Sequence, residues 1–182
     1  MIDLEKNANF EDQSPWLSVE PPYVYLLYAL MRCSQPKTIV EIGCGQGFWT
    51  QAILKAMEGW AQPARPVCVD VRDVLAPNFK DRVDFRQLDW ETFWPQMPKT
   101  DAMIVDLAES LTRRFFDERV WPFLNPGGWF LCHDTLSHPE PKALQDSLLA
   151  SPPAGAWVMP LGWEGLRDHG EELEGVLLVR KA

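Results

Sequence analysis

Between Ile39 and Met57 the sequence changes its period. "KTIVEIG" is a short β-branched run, the pattern of a buried strand. From Phe48 onward Trp49, Ala52, Ile53, Ala56, Met57 and Trp60 fall three and four apart, along one face of a helix. Between the two lies "EIGCGQG", with Gly43, Gly45 and Gly47 at alternate positions directly behind Glu41. A strand that feeds a helix through so bare a turn begins a β-α-β unit. That commits the chain to a parallel sheet with helices packed on both faces.

The rest of the chain keeps the alternation. "PVCVDV" reads as strand two, "RVDFRQLD" as strand three and "TDAMIVDL" as strand four. Residues 108–124 are predicted to form one helix, with Leu111, Phe115, Val120 and Phe123 in its apolar stripe. "NPGG" is then a turn and "WFLCHDT" strand five. Pro141 opens a further helix, "PKALQDSLLA", and "WVMPLGW" and "GVLLVRK" suit an antiparallel hairpin with a long polar connection. Ahead of strand one, "PPYVYLLYALMR" predicts a helix over 21–33, and residues 1–14 read as a segment either poorly ordered or draped on the surface. With 182 residues the chain is expected to be a single domain, a cap segment and helix over 1–35 and a core over 36–182.

Composition removes several classes of function. A formal net charge of -9 argues against nucleic-acid or anionic-membrane surfaces, which reward clustered Lys and Arg. No run approaches the roughly 18 apolar residues of a membrane span. "MIDLEKNANFEDQ" is acidic and polar, unlike a secretory signal, so a cytoplasmic location is expected. Cys33, Cys44, Cys68 and Cys132 form no C-x-x-C pair and read as free thiols.

In a doubly wound sheet, ligands sit outside the carboxyl ends of the strands, where these glycines lie. A phosphate-binding loop needs Lys followed by Ser or Thr, and here Gly47 is followed by Phe48 and Trp49. A dinucleotide fingerprint wants a third glycine where Phe48 stands, and Glu41 would repel a pyrophosphate. A cationic ligand fits better. Glu41, Asp70, Asp89 and Asp106 are all predicted along one sheet edge, where a sulfonium, an α-ammonium and an adenosine would find partners.

With these residues in view, the chain resembles the class I S-adenosylmethionine-dependent methyltransferases. "VEIGCGQG" is similar to their first motif, "VCVD" to their acidic second strand and "LDW" to their adenine-binding loop. "DAMIVDL" and "LNPGGWFLCHDT" resemble their fourth and fifth strand motifs, and "GVLLVRK" their seventh strand. The resemblance implies a Rossmann-like, doubly wound α/β sheet of seven strands, mostly parallel with an antiparallel C-terminal strand. It implies S-adenosylmethionine as cofactor. Glu41, Gly43, Cys44, Gly45 and Gly47 would cradle the methionine part and ribose, Asp70 with Val71 the ribose diol, and Asp89 with Trp90 the adenine, with Asp106 beside them.

"CHDT" after "PGG" is similar to the small O-methyltransferase and cephalosporin-hydroxylase-like branch, some of whose members set carboxylates here around a metal. Asp106, Asp134 and His133 are therefore the candidate catalytic residues. They are also the candidate ligands of Mg²⁺ or another divalent cation. The chain departs from that branch in having "DLAESL" after strand four and His133 in place of an acid. His133 acting as a general base without metal is one alternative; the other is that Asp134 and Thr135 only shape a turn and the catalytic group lies elsewhere. The expected activity is methyl transfer to a small-molecule acceptor, most readily a hydroxyl. A catalytically silent binding module of the same fold is the competing expectation. So short a chain also invites a homodimer partner over its site.

Overall fold

The computed structural model describes residues 21–107, 109–162 and 175–182. The segment 1–14 and most of the hairpin connection lie outside the described residues. Helix α1 spans Pro21–Ser34 and leads into strand β1, Ile39–Ile42. Helix α2, Phe48–Met57, follows the glycine turn. Then come β2, Val67–Asp70; a short α3, Pro77–Lys80; β3, Asp84–Gln87; and α4, Trp90–Phe93. Beyond it lie β4, Thr100–Val105; β5, Leu124–His133; helix α6, Pro139–Ala150; and β6 and β7, Ala156–Leu161 and Val176–Lys181.

The strands form one seven-stranded sheet in the order β3-β2-β1-β4-β5-β7-β6. The first five are parallel; β7 runs antiparallel between β5 and β6. This is the mostly parallel α/β sheet that the alternation predicts. The order reverses between β1 and β4, and that is where a crevice opens at the carboxyl ends of the strands.

Side chains on a strand alternate between faces, so each face has its own core. Ile39, Ile104, Leu131 and Leu178 meet Leu27 and Met31 of α1 and Ile53 and Ala56 of α2. Val40, Ile42, Met103, Val105, Phe130 and Val179 meet Phe115, Phe116, Leu144 and Leu148 on the other face. Glu41 falls on the first face, under α2, and is fully buried.

Two elements differ from the sequence reading. The helix expected over 108–124 is only a turn of α-helix, α5, Arg113–Phe115, that widens into a π-helix over Phe116–Val120. The wider turn keeps both Phe115 and Phe116 in the core, which a single apolar stripe does not do. "NPGG" is not a turn outside the sheet. It is a bulge inside β5, where pairing with β4 jumps from Thr100–Leu124 to Ala102–Trp129. Asn125 donates its side-chain amide to the Asp101 carboxylate at 2.8 Å and anchors the bulge. The last helix also begins two residues early, at Pro139.

Candidate active site

The turn after β1 is held from below. The Gly43 N–H donates to the Val69 carbonyl at 2.8 Å, and the Gly45 N–H to Asp70 Oδ2 at 2.8 Å. Each glycine is needed for a different reason. Gly43 has φ 80°, and a Cβ there would overlap the Asp106 carbonyl oxygen. A Cβ on Gly47 would sit 2.7 Å from Leu75 and Phe79. Above Gly45, φ 49°, nothing lies within 4 Å. So Gly43 and Gly47 let the protein pack, and Gly45 leaves its backbone bare to a ligand.

That bare backbone is the floor of a cleft of about 760 Å³. Its wall includes Gly43, Asp70, Val71, Trp90 and Asp106, with Arg72, Glu109 and Ser110 at the side. Asp70 is buried and carries two backbone bonds, from Gly45 and from the Arg72 N–H at 2.8 Å on its Oδ1. The Trp90 ring stands edge-on to Phe115 at 5.0 Å between centroids, which fixes it at the cleft wall.

At the far side of Asp106 the ends of β4 and β5 bring three donors together. His133 Nδ1 lies 3.2 Å from Asp106 Oδ1 and 3.5 Å from Asp134 Oδ1. One donor atom from each of the three lies within 4.8 Å of the others. Carboxylates only accept, so Nδ1 carries the proton and His133 bridges the two acids. Ser137 Oγ donates to Asp134 Oδ1 at 3.0 Å, and His138 Nδ1 is 3.6 Å from Oδ2. Asp134 has φ 63°, a left-handed conformation rare outside glycine, which turns its carboxyl back toward His133. Burial, with the Asp106 charge nearby, holds that carboxyl above the usual carboxylate range, and His133 and Ser137 oppose the shift.

A family described as "Methyltransferase domain" matches residues 40–135, more than half of the chain. The chain belongs to this methyltransferase family. No curated protein matches its sequence. Solved structures similar to this methyltransferase include the O-methyltransferase of Bacillus cereus in complex with SAH. That likeness has 16% identity and a TM-score of 0.71, covering 98% of this chain and 88% of that one. TomG from Streptomyces achromogenes, involved in tomaymycin synthesis and solved with SAM, has 17% identity and a TM-score of 0.69, with 98% and 89% covered. A methyltransferase from Geobacter sulfurreducens has 19% identity and a TM-score of 0.67, with 90% and 81% covered.

Not all the acids expected at the edge of this methyltransferase reach the cleft. Gly43, Gly45, Asp70, Val71, Trp90 and Asp106 line it. Glu41 points under α2 instead. Its Oε2 accepts from Thr50 Oγ1 at 2.6 Å and from Cys68 Sγ at 3.3 Å, and burial pushes its carboxyl up to about 7. The Cys44 side chain packs against Leu54, Leu75 and Phe79, and burial raises its thiol. Gly47 faces Leu75 and Phe79. Asp89 caps α4, its Oδ1 accepting from the Glu91 N–H at 2.7 Å.

Tyr23 and Tyr28 are buried in the core beside α2. Cys33, Cys44, Cys68 and Cys132 are free thiols. Among the described residues no helix is long and apolar enough to cross a membrane. Sequence reasoning missed Trp49 and Ser137 as polar partners in the site, and Thr50 as the buried partner of Glu41. Trp49 was legible only as one more apolar position on a helix face.

Proposed function

We propose that this methyltransferase transfers the methyl group of S-adenosylmethionine to a hydroxyl of a small molecule. The observation that carries the reading is the join of two features: an open glycine-floored cleft, and an acid-histidine-acid cluster sharing its Asp106 wall. The methionine part would lie along the bare Gly45 backbone, the ribose against Asp70 and the adenine against Trp90. The cofactor supplies an electrophilic methyl on a sulfonium. Asp134, held by the His133 imidazole and the Ser137 hydroxyl, accepts the hydroxyl proton. As the O–H bond breaks, the oxygen pair forms the C–O bond and the C–S pair returns to sulfur. Alignment and a ready proton acceptor supply most of the rate in such an in-line displacement.

The neighbours solved with SAM and SAH support the cofactor assignment by fold. The net charge of -9 favours a small acceptor over a nucleic acid. The test is release of labelled methyl from S-adenosylmethionine to a panel of phenols, catechols, carboxylates and amines. Transfer to phenols or catechols is expected. Tight binding of S-adenosylhomocysteine with no transfer to any acceptor would establish the silent binding module instead.

A second reading concerns metal. Asp106, His133 and Asp134 offer two hard oxygens and an imidazole close enough to hold one divalent ion. Such an ion would lower the acceptor's pKa and orient its oxygen. Turnover that falls with EDTA and returns with Mg²⁺ or Mn²⁺ favours this reading. Full activity after demetallation leaves the proton-accepting carboxylate, held by the imidazole.

A further inference from the structure

Trp49 is 1% exposed, the second residue of α2, directly behind the glycine turn. Its ring is core, but its N–H is not idle. Nε1 donates to Asp106 Oδ2 at 2.9 Å. The same ring stands edge-on to the His133 imidazole, 5.4 Å between centroids and 78° between planes. Burying an indole does not by itself require such a bond. Trp60 and Trp94 are also buried, and neither Nε1 has a partner. The indole N–H of Trp49 is thus aimed at the one cleft acid that also touches His133.

The consequence is geometric. Asp106 is pinned at its backbone, where its N–H donates to the Ile42 carbonyl at 2.9 Å, and at Oδ2 by Trp49. Only Oδ1 is left to meet His133 Nδ1. With one carboxylate held and the indole packed in a T-shaped contact against the imidazole, the ring is set in the orientation that bridges Asp106 and Asp134. We propose that Trp49 is a positioning residue, which through Asp106 fixes the His133–Asp134 group that receives the acceptor's proton. This rests on the methyl-transfer reading for its purpose. It adds that one residue of α2 ties the cofactor turn to the acceptor end of the cleft, so the two halves of the site keep one spacing.

The test is Trp49→Phe, which keeps an aromatic ring beside His133 and removes the N–H. The readouts are imidazole ¹⁵N spectra, with His133 assigned by His133→Gln, calorimetry with S-adenosylhomocysteine, and turnover with the acceptor that the wild type methylates fastest in the panel. The wild type should show His133 as one tautomer, protonated at Nδ1. Trp49→Phe should show mixed tautomers, and kcat should fall about tenfold or more with acceptor KM little changed. Affinity for S-adenosylhomocysteine should stay within about twofold, since Trp49 does not line the cleft.

Unchanged His133 spectra, or an unchanged kcat, would overturn the proposal. If Trp49→Phe does not fold, Asp106→Asn decides. It should move both the Trp49 indole N–H resonance and the His133 signals, and unmoved His133 signals would refute the link. A wild type inactive toward every acceptor would undo the methyl-transfer reading, while the ¹⁵N spectra would still decide whether Trp49 orders His133.

Discussion

Glu41 shows how much one side chain's direction matters. One oxygen is bonded to Thr50 and Cys68; the other has no partner. Its carboxyl titrates near 7 instead of 4.5, so between those values the folded chain keeps a proton that the unfolded chain has lost. Stability from this group therefore falls as pH rises from about 4.5 to about 7, and is flat above. The span is ~3 kcal/mol. Glu41→Gln should remove that slope: in urea titrations, the variant should gain on the wild type between pH 5 and pH 8. Asp70 is the opposite case, an acid on the cleft wall. Asp70→Ala should weaken S-adenosylhomocysteine binding by ~1.5–3 kcal/mol by calorimetry, the scale of a hydrogen bond to a charged group. The residue type at 41 was legible, but its direction needed the strand's phase. Ile39 and Glu41 share the α2 face, while Ile42 shares the cleft. Asp89 has a second use that the sequence did not show: an acid just before a short helix gives one oxygen, Oδ1, to its own cap.

At the scale of elements, the glycine turn separates folding from binding. Gly43→Ala should lower thermal stability, because the new methyl meets the Asp106 carbonyl and the conformation has φ 80°. Gly45→Val meets no packed atom, so its stability cost is the strain of a β-branched residue at φ 49°. The folded protein should lose S-adenosylhomocysteine binding, because the side chain projects into open space at the cleft. A thermal melt and a binding isotherm on both variants check the pair; a Gly45→Val protein with wild-type affinity would contradict the site. The strand-turn-helix was legible because the period changes from strand to helix at Phe48. The bulge in β5 was not. Asn, Pro and two glycines read as a turn from local chemistry. Only the neighbouring strand shows that the ladder resumes at Trp129. The π-helix is equally hidden, since its extra residue per turn serves packing against the sheet.

For the whole molecule, ligand and fold should be linked. S-adenosylhomocysteine at a hundred times its dissociation constant should stabilise the protein by about 2.7 kcal/mol, read as a shift in urea midpoint, and the shift should vanish in Gly45→Val. The sheet order carries another consequence, one of timing. Strands β1 to β4 pair among themselves using residues 39–105. His133 ends a strand whose outer neighbour is Val176–Lys181, synthesised much later. A ribosome therefore delivers the glycine turn and its strands well before it delivers β7. In that interval the free side of β5 presents Phe130, Leu131 and Cys132 with unpaired backbone groups, an edge open to aggregation or to a chaperone. Earlier still, before residue 133 is made, the nascent chain can hold its glycine turn while the Asp106–His133–Asp134 cluster is incomplete.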